Sequence, residues 1–244
     1  MRKKIKRMKL NFKLIFLGIF FFLLLMFFYY LRKSVPLLFV IKNIEINERM
    51  EERLKENIEG KSLLTINLQK IRQKILENHS EYKDVFILKK FPSTLKIEIV
   101  KRIPFAQWKG ERFFLLDEGG RIISDAQDIP FFNFIPIEIN DYKKSLRKGK
   151  KIADERLYYA FALIKEMKKR DFFKKFPLTL VNPTKLNSFY FIMKRIKVIV
   201  GKDNLSKKID LLENLLKKEE IGENISKIKY IDLRYKKVYF GFKR

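Results

Sequence analysis

The sequence contains no cysteine, a single histidine and a single tryptophan among 244 residues. The absence of cysteine excludes disulfide bonds, thiolate metal ligands and a cysteine nucleophile. The one histidine, His79, stands in a polar stretch. The sequence offers it neither a Gly-x-Ser-x-Gly nucleophile elbow nor a His-rich ligand set. We therefore expect His79 to be an exposed turn residue, and we expect no catalytic residue.

Glycine is also scarce, and the nine glycines form no loop of the kind that holds phosphate groups. The tripeptide Gly60–Ser62 lacks the upstream glycine of a P-loop and follows no predicted strand. The adjacent carboxylates Asp117–Glu118 and Asp154–Glu155 fall at a predicted turn and near a predicted helix start, where acidic residues are common without catalysis. The sequence thus predicts no enzyme, no cofactor, no metal site and no small-molecule substrate.

Acidic residues are missing from the N-terminal tail, which carries seven basic residues in its first 13 positions. An uncharged run of 18 residues follows, from Leu14 to Leu31, and as a helix it would be about 27 Å long, enough to cross a bilayer. It is longer than the apolar core of a cleaved signal peptide. Because positive charge stays on the cytoplasmic side, we predict a cytoplasmic tail (1–13), a transmembrane signal anchor (14–31) and an external remainder. Pro36 is expected to end the helix.

The net charge of +27 extends beyond this tail. Six basic residues crowd one later segment: Lys143, Lys144, Arg147, Lys148, Lys150 and Lys151. Such a segment either attracts anionic phospholipid, wall polymer or an acidic partner, or forms an ordinary solvated surface. Nucleic acid fits the composition but does not fit a chain delivered across a membrane, so we expect no nucleic-acid binding.

The first part of the external chain predicts the order strand, helix, helix, strand, strand. The predicted strands are Phe39–Ile46, Val85–Leu88 and Leu95–Val100. The first predicted helix runs from Met50 to about Ile58 and is closed by Gly60. The second predicted helix begins after Asn67, which is its expected N-cap. The last strand alternates apolar and polar residues, which places Ile97 on the buried face. Pro92 and Pro104 bracket that strand, because proline cannot donate a hydrogen bond to a strand ladder.

The second part predicts a curved, mostly antiparallel sheet with flanking helices, so that the fold class is α+β. Gly119-Gly120 indicates a tight hairpin after Asp117, a turn residue. The predicted helices are Ala153–Lys175 and Leu205–Lys218. The predicted strands are Phe105–Lys109, Arg112–Leu116, Arg121–Ser124, Ile137–Asn140, Leu178–Val181, Phe189–Met193, Lys197–Val200, Tyr230–Leu233 and Val238–Lys243.

Two features admit both a structural and a binding interpretation. Trp108 could be an interface anchor, but its position just after Pro104 favours the core of the second domain. The final strand places Val238, Phe240 and Phe242 on one face and Tyr239, Gly241 and Lys243 on the other. Its free edge could dock a partner strand, with Gly241 permitting close approach, or could simply be protected by its lysines.

Several segments, read together and in order, carry a resemblance that covers nearly the whole chain. They are Asn43-Ile44, GKSLLTINLQKIRQKI (60–75), KKFPSTLKIEIVKRIPFAQW (89–108), FFLLDEGGRII (113–123), VIVGKDNLSKKIDLLENLL (198–216) and YIDLRYKKVYFGF (230–242). Together they resemble the FtsQ/DivIB family of single-pass bacterial cell-division proteins. Lys101 stands where that family usually has glutamate, and the turn from Asn78 to Asp84 lacks the usual Pro-Trp.

The resemblance implies a POTRA domain at 39–103 (β-α-α-β-β), a β domain at 104–244, and a position in the inner membrane at the division septum. It implies a divisome scaffold that links early and late division proteins and supports septal peptidoglycan synthesis; the alternative is a POTRA-bearing secretion or envelope-assembly component. The implied partners are FtsB/DivIC-type and FtsL-type proteins, with other divisome membrane proteins at the POTRA domain. The implied partner-binding residues are Tyr235, Lys236, Lys237, Val238, Tyr239, Phe240, Gly241 and Phe242.

The predicted topology can be tested by protease protection. Protease added to spheroplasts should digest the chain down to its anchor, because the unopposed positive charge of the first 13 residues keeps only that tail inside. Immunoblots against tags at the two ends would measure this, with a cytoplasmic protein as the control for intact membranes. Protection of the C-terminal tag in intact spheroplasts would contradict the assignment.

Overall fold

The computed structural model describes residues 12–48, 55–218 and 225–243. By its internal contacts the chain divides into two units. The first comprises the residues up to 78 together with 84–100, and the second comprises 79–83 together with 101–244.

The N-terminal helix α1 spans Phe12–Leu38. Its stretch Ile15–Lys33 is exposed along its whole length and is long and apolar enough to cross a membrane. The expected helix end at Pro36 is wrong, because α1 continues to Leu38. A proline this close to the end of a helix removes one backbone hydrogen bond from the final turn, which costs far less than a break in the helix interior.

The first unit contains a three-stranded sheet made of β1 (Asn43–Ile46), β2 (Tyr82–Lys90) and β3 (Thr94–Lys101), with β3 in the centre. β1 runs parallel to β3. The helix α2 (Leu68–Asn78) buries Ile75, and its cap is as predicted, because the Asn67 side chain accepts a hydrogen bond from the Lys70 N–H at 3.0 Å. The predicted helix from Met50 lies largely outside the described residues.

The alternation of β3 is confirmed. Leu95 and Ile97 are completely buried and Ile99 is 4% exposed. The end of the strand is fastened by Asn47, whose side chain exchanges two hydrogen bonds with the backbone of Ile99, at 2.8 and 3.0 Å. An apolar side chain on this face therefore has no route to water, whereas Val100 on the opposite face is 39% exposed.

The second unit contains an eight-stranded sheet in the order β11-β10-β9-β8-β7-β6-β4-β5. Its strands are β4 Pro104–Lys109, β5 Phe113–Asp117, β6 Pro136–Ile137, β7 Leu178–Asn182, β8 Tyr190–Met193, β9 Ile196–Ile199, β10 Ile228–Asp232 and β11 Tyr239–Phe242. The pairings β4–β6, β6–β7 and β9–β10 are parallel, and the other four are antiparallel. The predicted strand Arg121–Ser124 forms only isolated bridges, to Leu116 and Lys151.

Two helices accompany this sheet, α3 (Glu155–Lys168) and α4 (Leu205–Leu216). α3 is shorter than predicted: Asp154 caps its start, and a separate 3-10 turn, Asp171–Lys175, follows it. Arg170 joins the two helices by hydrogen bonds to Glu166 and Asp210. Hydrogen bonds from Lys169 and then Arg170 lower the pKa of Glu166 to about 2.

Trp108, on β4, is 2% exposed and belongs to the hydrophobic core of the second unit, as predicted.

Ile97→Asp should severely destabilise the first unit, because it would bury a carboxylate without a partner, at a cost of roughly 3 kcal/mol or more. Val100→Asp is the matched control on the exposed face of the same strand. Hydrogen exchange of the full chain in detergent, read at the β1 and β3 amides, should show lost protection for Ile97→Asp alone. Equal protection in both variants would contradict the buried face.

Candidate functional site

The two edges of the eight-stranded sheet differ in what covers them. The outer edge of β5 is occupied by its own chain: Phe113 and Gln127 exchange backbone hydrogen bonds at 2.7 and 3.0 Å, and the Ile123 N–H donates to the Leu115 carbonyl at 2.9 Å. The opposite edge is β11, and no other strand among residues 12–48, 55–218 and 225–243 pairs with its outer side. The sheet is therefore open only at β11 within that part of the chain.

The backbone direction of β11 follows from one hydrogen bond. The Lys243 N–H donates to the Lys227 carbonyl at 2.8 Å, on the side of β10. Because successive N–H groups of a strand alternate in direction, the N–H of Tyr239 also points toward β10. The N–H groups of Phe240 and Phe242 then point away from β10 and are available to a partner strand.

The side chains around this edge are aromatic and exposed. Tyr235 is 57% exposed, Tyr239 52% and Phe242 61%, and Tyr230 on neighbouring β10 is 38% exposed. Tyr235 and Tyr239 pack edge to face with their ring centroids 5.8 Å apart. Large aromatic side chains that remain exposed next to a free edge are typical of protein-binding surfaces.

A partly buried ion pair holds the chain between β10 and β11: the Asp232 side chain is 9% exposed and that of Arg234 30%. The Arg234 guanidinium donates to both carboxylate oxygens of Asp232, the shorter bond being 2.6 Å, and the Arg234 N–H donates to the same carboxylate at 3.0 Å. Burial alone would raise the pKa of Asp232, but these hydrogen bonds outweigh it and lower that pKa below its ordinary value. Arg234 also lies over the Tyr235 ring, 5.2 Å from its centroid.

Gly241 has a different role from the one expected. A Cβ placed on Gly241 would lie 2.0 Å from Cε1 of Tyr230, so the tyrosine ring occupies the space that a side chain would need. The two residues are cross-strand partners in the β10–β11 pair. Glycine here admits a ring of the same chain rather than leaving room for a partner.

The structure places seven of the eight sequence-predicted residues in two local settings, with Val238 between them. Residues 235–237 form the exposed bend before β11, and residues 239–242 form the strand itself. Val238 and Phe240 pack against the core, while Phe242, with the same alternation, is exposed. Sequence reasoning missed Tyr230, Asp232 and Arg234, since their roles depend on which strand pairs with which.

The prediction for His79 is wrong. Its ring stacks on Tyr82 with the centroids 4.7 Å apart, and its Nδ1 lies 3.2 Å from a Glu81 carboxylate oxygen. Its Nε2 is buried and has no hydrogen-bond partner among the described residues.

The prediction that Asp117 is a turn residue is confirmed. Its carboxylate accepts hydrogen bonds from the N–H groups of Gly119 and Arg121, and it also forms an ion pair with Arg102 at 2.7 Å.

The first unit has an aromatic and aliphatic surface of its own. β2 is an edge strand of the three-stranded sheet, and its side chains Phe86 and Leu88 are each 53% exposed. The polar residues of α2 and β2 are linked by the Arg72–Asp84 ion pair at 2.7 Å, so the exposed apolar pair lies on a strand that is well fastened to its helix.

Comparisons with known proteins match the first part of the external chain. Residues 41–102 match the family model of the POTRA domain, FtsQ-type, so this part of the chain is similar to the POTRA domain of cell-division proteins. The cell division protein FtsQ of Rickettsia bellii (strain RML369-C) is 38% identical over 66 residues, which cover 27% of this chain and 24% of that protein. These findings support a cell-division protein and confirm the predicted resemblance over the POTRA part of the chain. Together with α1, they fit a single-pass membrane protein.

Gly241→Ala should weaken the β10–β11 pairing, because the new methyl group must displace the Tyr230 ring. Tyr230→Ala combined with Gly241→Ala should restore it, and Tyr230→Ala alone serves as the control for the lost ring. Hydrogen exchange at the β10 and β11 amides measures the pairing. Unchanged protection in the Gly241→Ala protein would show that the ring does not constrain this position.

Proposed function

We propose that the chain is a single-pass scaffold of the division septum, without catalytic activity, that links division proteins and supports septal peptidoglycan synthesis. In this proposal α1 spans the inner membrane with the basic tail in the cytoplasm, and the residues from 39 onward lie outside it. The domain limits 39–103 and 104–244 are part of the same proposal. The likeness to the FtsQ-type POTRA domain supports it.

The observation that carries the proposal is the contrast between the two sheet edges. β5 is paired by its own chain, whereas β11 presents the N–H groups of Phe240 and Phe242 away from its one neighbour. An extended segment of a partner could add to the sheet there, gaining main-chain hydrogen bonds, while Tyr235, Tyr239 and Phe242 offer aromatic contacts. We propose FtsB/DivIC-type and FtsL-type proteins as the partners at this edge.

A second contact is proposed at the POTRA domain. Phe86 and Leu88 are exposed on β2, an edge strand with one neighbour in its sheet. Burial of these two half-exposed apolar side chains against another membrane protein of the division machinery would be more favourable than their exposure to water. The two edges would allow one scaffold to hold two partners.

The docking edge can be tested with variants at Phe242. Phe242→Pro removes the outward N–H and the aromatic ring, whereas Phe242→Ala removes the ring alone, so their difference isolates the backbone contribution. Co-purification of the cognate FtsB- and FtsL-type proteins should fall about tenfold further for proline than for alanine, as expected for about 1.4 kcal/mol. Lys243→Ala should change capture only slightly, because an exposed charge contributes little.

The melting curve of each variant must accompany the capture experiment, since proline could also loosen β11. A folded Phe242→Pro protein that captures its partners as well as Phe242→Ala would show that strand addition at β11 is not the mode of binding. Tyr239→Pro is not a suitable test, because the Tyr239 N–H points toward β10 and its loss would disrupt the sheet itself.

A further inference from the structure

A groove of about 680 Å³ opens beside β4 in the second unit, away from the docking edge. The basic segment singled out in the sequence lines it with Lys143, Lys144, Arg147 and Lys148, and Arg112 is a further cation in its lining. Phe114, Ala126 and Leu146 provide apolar walls. The groove thus combines apolar walls with a strongly cationic rim.

The basic segment is held in place rather than loosely solvated. The Gly149 N–H donates to the Ile122 carbonyl at 2.8 Å, and the Ile122 N–H donates to the Lys150 carbonyl at 2.9 Å. The Lys150 ammonium donates to the Ser145 carbonyl at 2.8 Å. Leu146 packs against the core. The cations of this segment therefore extend from a fixed backbone, which reduces the entropy lost on binding.

Three of the cations form no close ion pair, although Lys144 is near enough to Asp154 to help lower the pKa of that carboxyl group. Lys143, Lys144 and Arg147 form no ion pair within the part of the chain that the structure describes, whereas Lys148 lies 3.6 Å from Glu81 and 3.8 Å from Asp125, and Arg112 lies 3.0 Å from Asp128. Glu111 and Asp125 also line the groove. The unpaired charge on its rim is therefore mainly positive, which favours a negatively charged ligand.

The floor of the groove holds an unused hydrogen-bond donor. Trp108 is 2% exposed and packs against Tyr142, with the ring centroids 4.8 Å apart. Its indole N–H makes no hydrogen bond within the described residues, and its Nε1 is not enclosed, because the buried side-chain nitrogen without a partner there is His79 Nε2; the indole N–H is therefore open to a ligand in the groove. Gly110 keeps this N–H approachable, because a Cβ there would stand 3.0 Å from Nε1.

We propose that this groove binds an acidic peptide segment of a protein partner, with one carboxylate accepting the Trp108 indole hydrogen bond and others paired with Lys143, Lys144 and Arg147. A carboxylate is both an anion and a hydrogen-bond acceptor, so it satisfies the cations and the indole together. The groove is concave, so a peptide chain can enter it whereas a flat bilayer surface cannot. Its apolar walls can contact the aliphatic stems of glutamate side chains more favourably than the hydroxyl groups of a sugar polymer.

Trp108 supplies a site-specific test because it is the only tryptophan in the chain. Short poly-L-glutamate titrated into the full chain in a neutral detergent should produce a saturable change in tryptophan emission. Replacement of Lys143, Lys144 and Arg147 by alanine should weaken binding about tenfold or more. Replacement of Lys202, Lys207 and Lys229, which are exposed, removes the same charge elsewhere and should leave binding within about twofold.

Gly110→Ala tests the indole contact without changing the charge. The added methyl group would crowd the N–H, so the emission response should weaken about tenfold, and the melting temperature, measured beside it, should fall only slightly because the Trp108 ring must shift by a few tenths of an ångström. Three results would overturn the proposal: equal loss of binding in the two charge-removed proteins, binding without a change in Trp108 emission, or a response to phosphatidylglycerol vesicles but not to poly-L-glutamate. None of them bears on β11, whose variants are measured separately.

Discussion

An open β-sheet has two edges, and the peptide groups along each edge must find hydrogen-bond partners or remain in water. The two edges of the eight-stranded sheet differ in how their outward peptide groups are satisfied. The chain after β5 folds back, so that Gln127 and Ile123 satisfy the β5 backbone. β11 has one neighbour, and its outward groups have none within the described residues. The rest of the C-terminal region is arranged around that asymmetry.

An exposed edge is a liability as well as an opportunity, because any extended chain can pair with it. Lys236 and Lys237 precede β11 and are exposed, and charges of this kind discourage pairing between identical copies. The aromatic side chains of Tyr235, Tyr239 and Phe242 have the opposite effect, since their exposure to water is unfavourable until a partner covers them. The combination favours a specific partner over self-association.

The order of this edge depends on contacts inside the chain. The Asp232–Arg234 pair shapes the approach to β11, and the Tyr230 ring lies across Gly241. Both contacts fix the geometry of the last strand without using its outward N–H groups. A preformed edge of this kind lowers the entropy cost of strand addition, because only the incoming segment must become ordered.

Sequence patterns predict burial correctly where the arrangement of side chains within a single strand determines which of them are buried. The alternation around Ile97 and the burial of Trp108 follow from neighbours in the chain, and both were predicted. Three of the expectations that failed did so because the deciding partner is distant or the local rule is incomplete. Pro36 lies too near a helix end to stop it, residues 121–124 bridge other segments instead of forming a strand, and His79 is covered by Tyr82.

The candidate sites divide in the same way. The C-terminal strand and the basic segment from 143 to 151 were visible as composition and alternation, but their meaning depends on tertiary neighbours that no local pattern encodes. Tyr230 explains Gly241 only once the register of β10 and β11 is known. The basic segment likewise lines a groove only because the fold brings it next to Trp108 and Gly110, which lie more than 30 residues earlier in the sequence. A run of lysines alone would attract any anion, whereas the indole N–H of the packed Trp108 beside it selects for a group that also accepts a hydrogen bond.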